Sequence, residues 1–596
     1  MKDFLKKYSR IGLVALLAIS FTTNCPGKDD DDDNLLLLGA YLLLNQPQYA
    51  VSIVGELKTK SNGAWTLASF SGANDNERRY YSARQMNLGS EQLILADGEV
   101  VRQITSGADA QGKFSLSFKM RSLNANIAIT GLGLPDSVLT NLAINSFGNS
   151  VEGDKPENYT ASKGSFSFSL TGNLADPSNL NQISGKVVNS DDFNADITQI
   201  TVTQIGVYNL PNPTVGEQVC DGARVTGSPT VKSGTINAAE TWSGAILLQG
   251  TVTANAAITV QPGTVIFGQR GSSLFVLGAN KLTAIGTAAD PICWTSASSP
   301  GSRFPGDWGG IVTVGNSGAS RTATTEGTTP QNYGGVPSGN TLNVEMEYNI
   351  IEFGGNEVAP GDELNNISMY ASNTKLTNVQ AHRGLDDQFE AWGGQLAWNR
   401  MLATGGLDDD YDLDEGVTGT ISNAIGHKYP ASCGGSASTD PHGLEWDGIH
   451  SNGTPACNTS STGGCTTITL NKFTLIGANI TSGQAGRLRE RVVATLTNGV
   501  NYGYSAGFNA RNTGTAVTVT NVKTDKANTD DGSATIQAAT VDLNALPIVS
   551  DGGISTDCGF GEANPDYTLT SAASGALGAT DGVGKFWENW AVFRAR

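Results

Sequence analysis

Short apolar runs, broken every few residues by Gly, Asn or Pro, dominate the chain from about residue 225 onward. Ile246-Leu247-Leu248, Ile258-Thr259-Val260, Val265-Ile266-Phe267, Leu274-Phe275-Val276, Leu282-Thr283-Ala284 and Ile292-Cys293-Trp294 are typical. Runs this short, spaced seven to twelve residues apart, predict β-strands rather than helices. They fit hairpins of a sandwich, or three strands per turn of a solenoid. A duplicated block decides between the two. GLDDQFE at 384–390 recurs as GLDDDYD at 406–412, 22 residues on, with Phe389 over Tyr411. That period is the length of one β-helix coil. Upstream, alternating patterns at Val51–Leu57, Phe114–Met120, Ala125–Thr130, Phe166–Leu170, Ile183–Val188 and Ile197–Val207 predict a separate β-sandwich-like domain. Pro211-Asn212-Pro213 marks a linker after it. The fold expected is therefore all-β: a β-sandwich-like domain over 50–210, then a parallel β-helix over 225–596 ending in a C-terminal cap.

Several further runs carry a family resemblance. ITVQPGTVIFG, LTAIGTAADPICWTS, GDWGGIVTVGN, EYNIIEFGG and DELNNISMYA precede the two acidic blocks, and GLEWDG, TLIGAN and RLRE follow them. Together with the terminal KFWENWAVF they resemble a widespread, largely uncharacterised family of secreted bacterial β-helix proteins, over roughly 240–596. The resemblance implies a right-handed parallel β-helix and a place at the cell surface, and it implies little about activity. Trp587 and Trp590 in that terminal segment are expected to cover the last coil.

Composition narrows the partners. With 37 basic and 56 acidic residues the net charge is −19, which repels nucleic acid and anionic lipid surfaces. The N-terminus reads as a targeting segment over 1–24. Lys2, Lys6, Lys7 and Arg10 precede an apolar stretch, Ile11 to Phe21, too short to span a bilayer. Thr22-Thr23-Asn24-Cys25 then resembles a lipoprotein box, so Cys25 is the expected lipidation site and membrane anchor. Residues 25–49 hold five aspartates, Asp29–Asp33, expected to act as a solvated tether, and an apolar run, Leu35–Leu44. An outer-membrane lipoprotein follows as the expectation, facing either the cell surface or the periplasm.

The acidic blocks supply the candidate chemistry. Coils of a β-helix lie about 4.8 Å apart, so carboxylates at the repeat offset stack at that distance. Asp386, Asp387, Asp408, Asp409 and Asp412 form such a stack, with Asp410, Asp414 and Glu415 beside it. Such a ladder needs a cation, hydrogen bonds or raised pKa values. Calcium, a hard oxygen-seeking ion abundant outside cells, is the cation expected. Aspartates that cap backbone N–H groups at tight corners are the competing reading. Hydrolases on this fold use clustered aspartates, a His-Gly and an Arg-x-Lys in that order. Asp386-Asp387, His442-Gly443 and Arg487-Leu488-Arg489 match the order, with Arg for the Lys. Trp308, Trp392, Trp398 and Trp446 would bind sugars or proteins if exposed, and pack the core if not.

Six cysteines follow Cys25. Cys457 and Cys465 flank a short Ser/Thr/Gly loop and are the expected disulfide, whereas Cys293, inside a strand pattern, reads as a buried free thiol. No His/Cys pair in 433–465 has zinc-finger spacing. The function expected is a lipid-anchored binding or adhesin-like protein contacting a protein or glycan. A carbohydrate-active lyase or hydrolase is the alternative, and a passive envelope component the third possibility. Whether His442 and Arg487 share a surface with Asp386–Asp409 discriminates among these.

Overall fold

In the computed structural model, the described residues are nine strands between 47 and 207 and most of 214–593; the longest breaks are 299–302, 430–439, 450–463, 542–564 and 570–576. Cys25, the expected lipidation site, the expected tether, and Cys457 lie outside the described residues. Among the described residues no helix is long and apolar enough to cross a membrane.

Among the described residues the N-terminal unit consists of β-strands. Its strands pair antiparallel in the order Gln92–Ile94, Ile127–Gly133, Ser165–Leu170, Ile183–Val187, Phe193–Val207, Pro47–Ser61, Lys113–Met120, Ile104–Ala108, with Ala64–Leu67 folded back on Pro47–Ser61. Each of the six strand patterns read from the sequence overlaps one of these strands, and four fall wholly within one.

From Thr230 the chain winds into a parallel β-helix. Twenty-five strands form one continuous parallel network, each pairing with its counterpart one coil on. The repeat seen in the sequence is a true register: Phe389 pairs Tyr411, and Glu390 pairs Asp412. Inside, the Phe389 and Tyr411 rings stack at 5.5 Å between centroids and 4° between planes. Outward and inward positions alternate along each strand, as on any pleated surface. Inward ones, such as Leu376, Trp398, Ile421, Leu470 and Leu496, fill a single apolar core.

The longest strands run around a corner. Asn373–His382, Gln395–Thr404, Thr418–His427, Thr467–Ile476 and Val493–Tyr502 each bend at one residue in the left-handed region. These residues are Asn378, Arg400, Asn423, Lys472 and Asn498, with φ between 52° and 59°. Asparagine tolerates this conformation because its short amide bonds locally. Asn521 continues the file, donating to Asn498 Oδ1 at 2.7 Å.

Two expectations are corrected. Cys293 is not a free thiol: it is disulfide-bonded to Cys220, 73 residues earlier. Cys220 ends a short helix, Val215–Cys220, that docks on the flank before the first coil, so no coil register announces the pairing. Cys465 is also disulfide-bonded, its partner lying outside the described residues. The second correction concerns the C-terminal cap. Trp587 and Trp590 do not cover the last coil but lie buried along the flank, where Trp590 packs edge-on against Tyr348. The main chain of this strap bonds to the first helix, with Val215 N–H donating to Asn589 O at 2.8 Å. Trp308, Trp392, Trp398 and Trp446 are all buried too, which assigns them to packing.

Candidate functional site

Side chains of four successive short strands converge on one face of the solenoid, the last three of them carrying acids. These are Ile367–Tyr370, Phe389–Trp392, Tyr411–Asp414 and Leu444–Asp447, followed by Gln484–Arg489. Their registers place Ser368, Glu390, Asp412, Glu445 and Arg487 in one outward file. A second file holds Tyr370, Trp392 and Asp414, and beyond them Asp447 beside Arg489. The face thus changes from aromatic to acidic to basic along the coil axis.

Just before these strands the chain turns, and there the acids serve the backbone. Asp387 N–H donates to Asn365 Oδ1, and Asp409 N–H to Asp387 Oδ1, both at 2.8 Å. His442 N–H donates to Asp409 Oδ1, and Gln484 N–H to His442 Nδ1 at 2.9 Å. Each side chain therefore satisfies the next coil's orphan donor. The corner-capping reading of the aspartates holds for Asp387 and Asp409.

The predicted set does not form one cluster. Oxygens of Asp386, Asp387 and Asp408 lie within 4.8 Å of one another, as do those of Asp387, Glu390 and Asp412. Asp409 turns instead toward His442 and Glu445. Three hard carboxylates, two of them half-exposed, suit a cation such as calcium in the first group. The third group does not suit a metal. With Nδ1 accepting from Gln484, neutral His442 carries its proton on Nε2 and has no lone pair there for an ion.

His442 Nε2 instead points at carboxylates, 3.2 Å from Asp440 Oδ1 and 3.7 Å from Glu445 Oε2. Burial holds its pKa below the usual imidazole range, so it stays neutral. Arg487 bonds both Asp440 and Glu445. Arg489 donates to Glu445 Oε1 at 2.8 Å and to Asp447 Oδ1 at 2.6 Å. Asp409, His442, Glu445 and Arg487 are accordingly linked along one flank of the solenoid, with His442 itself buried.

Burial pushes the carboxyl pKa of Asp412 well up, and Asp409, Asp414 and Asp447 add to this by repulsion. Glu445 is raised by burial and by Asp409 and Asp412, with Arg489 opposing. Glu390 and Asp387 are raised by the same causes. Carboxyls in adjacent coils that repel one another this strongly titrate as a set rather than one by one.

Two insertions close the aromatic end. The hairpin Ala319–Thr324/Asn332–Gly335 and the smaller one Glu357–Ala359/Asp362–Glu363 lie over it. Tyr333, Val358 and Leu364 bury Phe275, Val312, Tyr370 and Trp392, and the last two rings stack at 4.0 Å. Glu415, fully buried, accepts from Tyr333 OH at 2.9 Å and pairs with Arg321 of the hairpin. Glu326, from the same insertion, accepts from Tyr370 OH at 3.1 Å and adds another carboxyl.

Sequence reading missed Glu445, Glu326 and Asp440 as site residues. Glu445 had a signal: LEWD at 444–447 repeats the alternation of YDLD at 411–414. A 33-residue offset, lengthened by an insertion, hid the register. Glu326 and Asp440 come from loops that no repeat predicts.

A family profile described as a pectate-lyase-like beta helix domain matches residues 233–572. No curated protein matches the chain. Among solved structures, the A-module of the mannuronan C-5 epimerase AlgE4 from Azotobacter vinelandii is similar over 56% of this chain and 98% of that chain, at 10% identity and a TM-score of 0.19. Agreement at that score carries no weight for fold or function.

Proposed function

The chain belongs to the pectate-lyase-like β-helix family, and from that premise we propose that its acidic face processes a glycan. The observation that carries this reading is the convergence of Asp412, Glu445, His442 and Arg487 on one surface. Register neighbours about 4.8 Å apart are close to the roughly 5–5.5 Å carboxyl separation of retaining glycosidases. Glu445, whose anion Arg487 and Arg489 favour, is assigned the nucleophile, and it must first lose the proton that burial, Asp409 and Asp412 favour. Asp412, pushed up by burial and three neighbouring carboxylates, keeps its proton and donates it to the departing sugar oxygen. His442 Nε2–H and the two arginines orient Glu445. A glycan lying along the coil axis meets the hairpin at one end, which favours cleavage near chain ends.

The test is a polysaccharide panel assayed for reducing ends and for unsaturated products. Reducing-end release is expected, with Asp412→Asn and Glu445→Gln each lowering kcat about 10²–10⁴-fold. Unsaturated ends would mean lyase chemistry on the same face. If no glycan is cleaved, or if the double variant matches the wild type, the enzyme reading fails. Glycan retained without cleavage would instead support a binding protein.

The group Asp386, Asp387 and Asp408 would hold a calcium ion, relieving their repulsion. We propose further that Cys25 is lipidated and anchors the chain to the outer membrane, supported by the basic and apolar segment before it. Cys25→Ser is expected to abolish lipid labelling and release the protein from the membrane fraction.

A further inference from the structure

Behind the acidic corner, next to Asp408 and Asp409, lies a buried amine–carboxyl pair that the proposed mechanism does not use. Lys428 Nζ is 3.1 Å from Asp410 Oδ1, and both side chains are fully buried. Their backbones are pinned to the next coil: Asp410 N–H donates to His442 O at 3.1 Å, and Lys428 N–H to Ile476 O at 2.9 Å. The two residues are the beginning and the end of one coil, meeting where the chain steps up to the next.

We propose that Lys428 and Asp410 join in an intramolecular isopeptide bond, which closes this coil into a covalent ring. Three observations support the chemistry. The amine is desolvated, and its only other partner among the described contacts is the Asp408 carbonyl oxygen. Neither Asp410 oxygen makes a well-aligned hydrogen bond, and the groups facing the carboxyl are the Lys428 amine and the Tyr504 hydroxyl. Within so close a pair a proton passes from Nζ to the facing carboxyl, giving the amine lone pair and the acid that react. Room is provided by Gly426, where a Cβ would come within 2.6 Å of Asp410 Oδ2.

The step balances without an external reagent. The Nζ lone pair adds to Asp410 Cγ and forms the C–N bond. The C–OH bond then breaks. The departing hydroxyl takes a proton and leaves as water, while Nζ loses one of its own. The buried hydroxyl of Tyr504, beside the Asp410 carboxyl, relays that proton from nitrogen to oxygen.

Tryptic mapping of the full chain, unfolded and reduced before digestion, tests this. Trypsin cuts after Arg400, Lys428 and Lys472. With the bond formed, Lys428 is not cut. The region then appears as one peptide, 401–472, lighter than its sequence by one water, with tandem fragmentation locating the branch at Asp410. Lys428→Met is expected to give peptide 401–472 at full mass. Release of 401–428 at its unmodified mass as the sole product from folded wild type overturns the proposal. That measurement needs no variant to fold.

Discussion

At the scale of single residues, the acidic file works first as a set of backbone caps. Asn365, Asp387, Asp409 and His442 each accept one N–H from the following coil. Asp387→Asn should therefore be tolerated, since an amide oxygen accepts as a carboxylate does and brings no charge. Asp387→Ala should cost about 1–3 kcal/mol through the orphaned N–H of Asp409, measured by denaturant unfolding. A melt as high for the alanine as for the asparagine variant would sink this. The pH dependence follows from the raised carboxyls. Burial and mutual repulsion lift Glu326, Asp387, Glu390, Asp412, Asp414 and Glu445, so the folded state holds protons that the unfolded chain has lost. Stability then falls as pH rises from the ordinary carboxyl range, about 4, up through the folded values. His442, depressed by burial, acts in the opposite sense, but it is one group against six. The melting temperature is expected to be higher near about pH 5.5 than near about pH 8, with a shallower slope in millimolar calcium. A higher melting temperature near about pH 8 refutes the carboxyl assignment, and an unchanged slope with calcium or chelator counts against the ion. The GLDD repeat made the stacking legible. It could not show which carboxylate oxygens the backbone had already taken, because that depends on the rotation of each corner.

Elements inserted into the solenoid give the face its shape. The strand Ile311–Val314 pairs with Ile367–Tyr370, 56 residues on, because two hairpins intervene. Strand pairs inside the regular coils were readable from apolar triplets, all six of which lie in strands. The hairpins were not, since their partners are local and their covering role depends on meeting Tyr370 and Trp392 in space. Glu415 fixes the larger hairpin, accepting from Tyr333 and pairing with Arg321 while itself at φ 56°. Glu415→Ala should lower stability by about 1–3 kcal/mol, by orphaning these donors. It should also increase binding of a hydrophobic dye as the aromatic end uncovers. A variant with unchanged dye binding would show that the hairpin is held by its apolar contacts alone.

At the largest scale, the described residues from Thr214 onward form a solenoid tied along its side. The Cys220–Cys293 disulfide fastens the first helix to the flank, and the C-terminal strap lies against both. Cys293→Ser should remove about 2–4 kcal/mol and speed proteolysis within 577–593. Equal protease resistance with and without reductant would show the strap to be held independently of the bridge. Here the sequence was least legible: the tryptophan-rich end is apolar enough to seal an end or a side, and only the tertiary register chooses. That choice has a kinetic side. Coils of a solenoid bind only their neighbours and can form in order of synthesis. The strap departs from this, since Thr214 bonds Ala591 across 377 residues and Gln380 bonds Val592 across 212. Contacts that distant close late and slow the final step. A nascent or exported chain would therefore carry its flank uncovered until its last residues emerged, open to chaperones and to degradation for that interval.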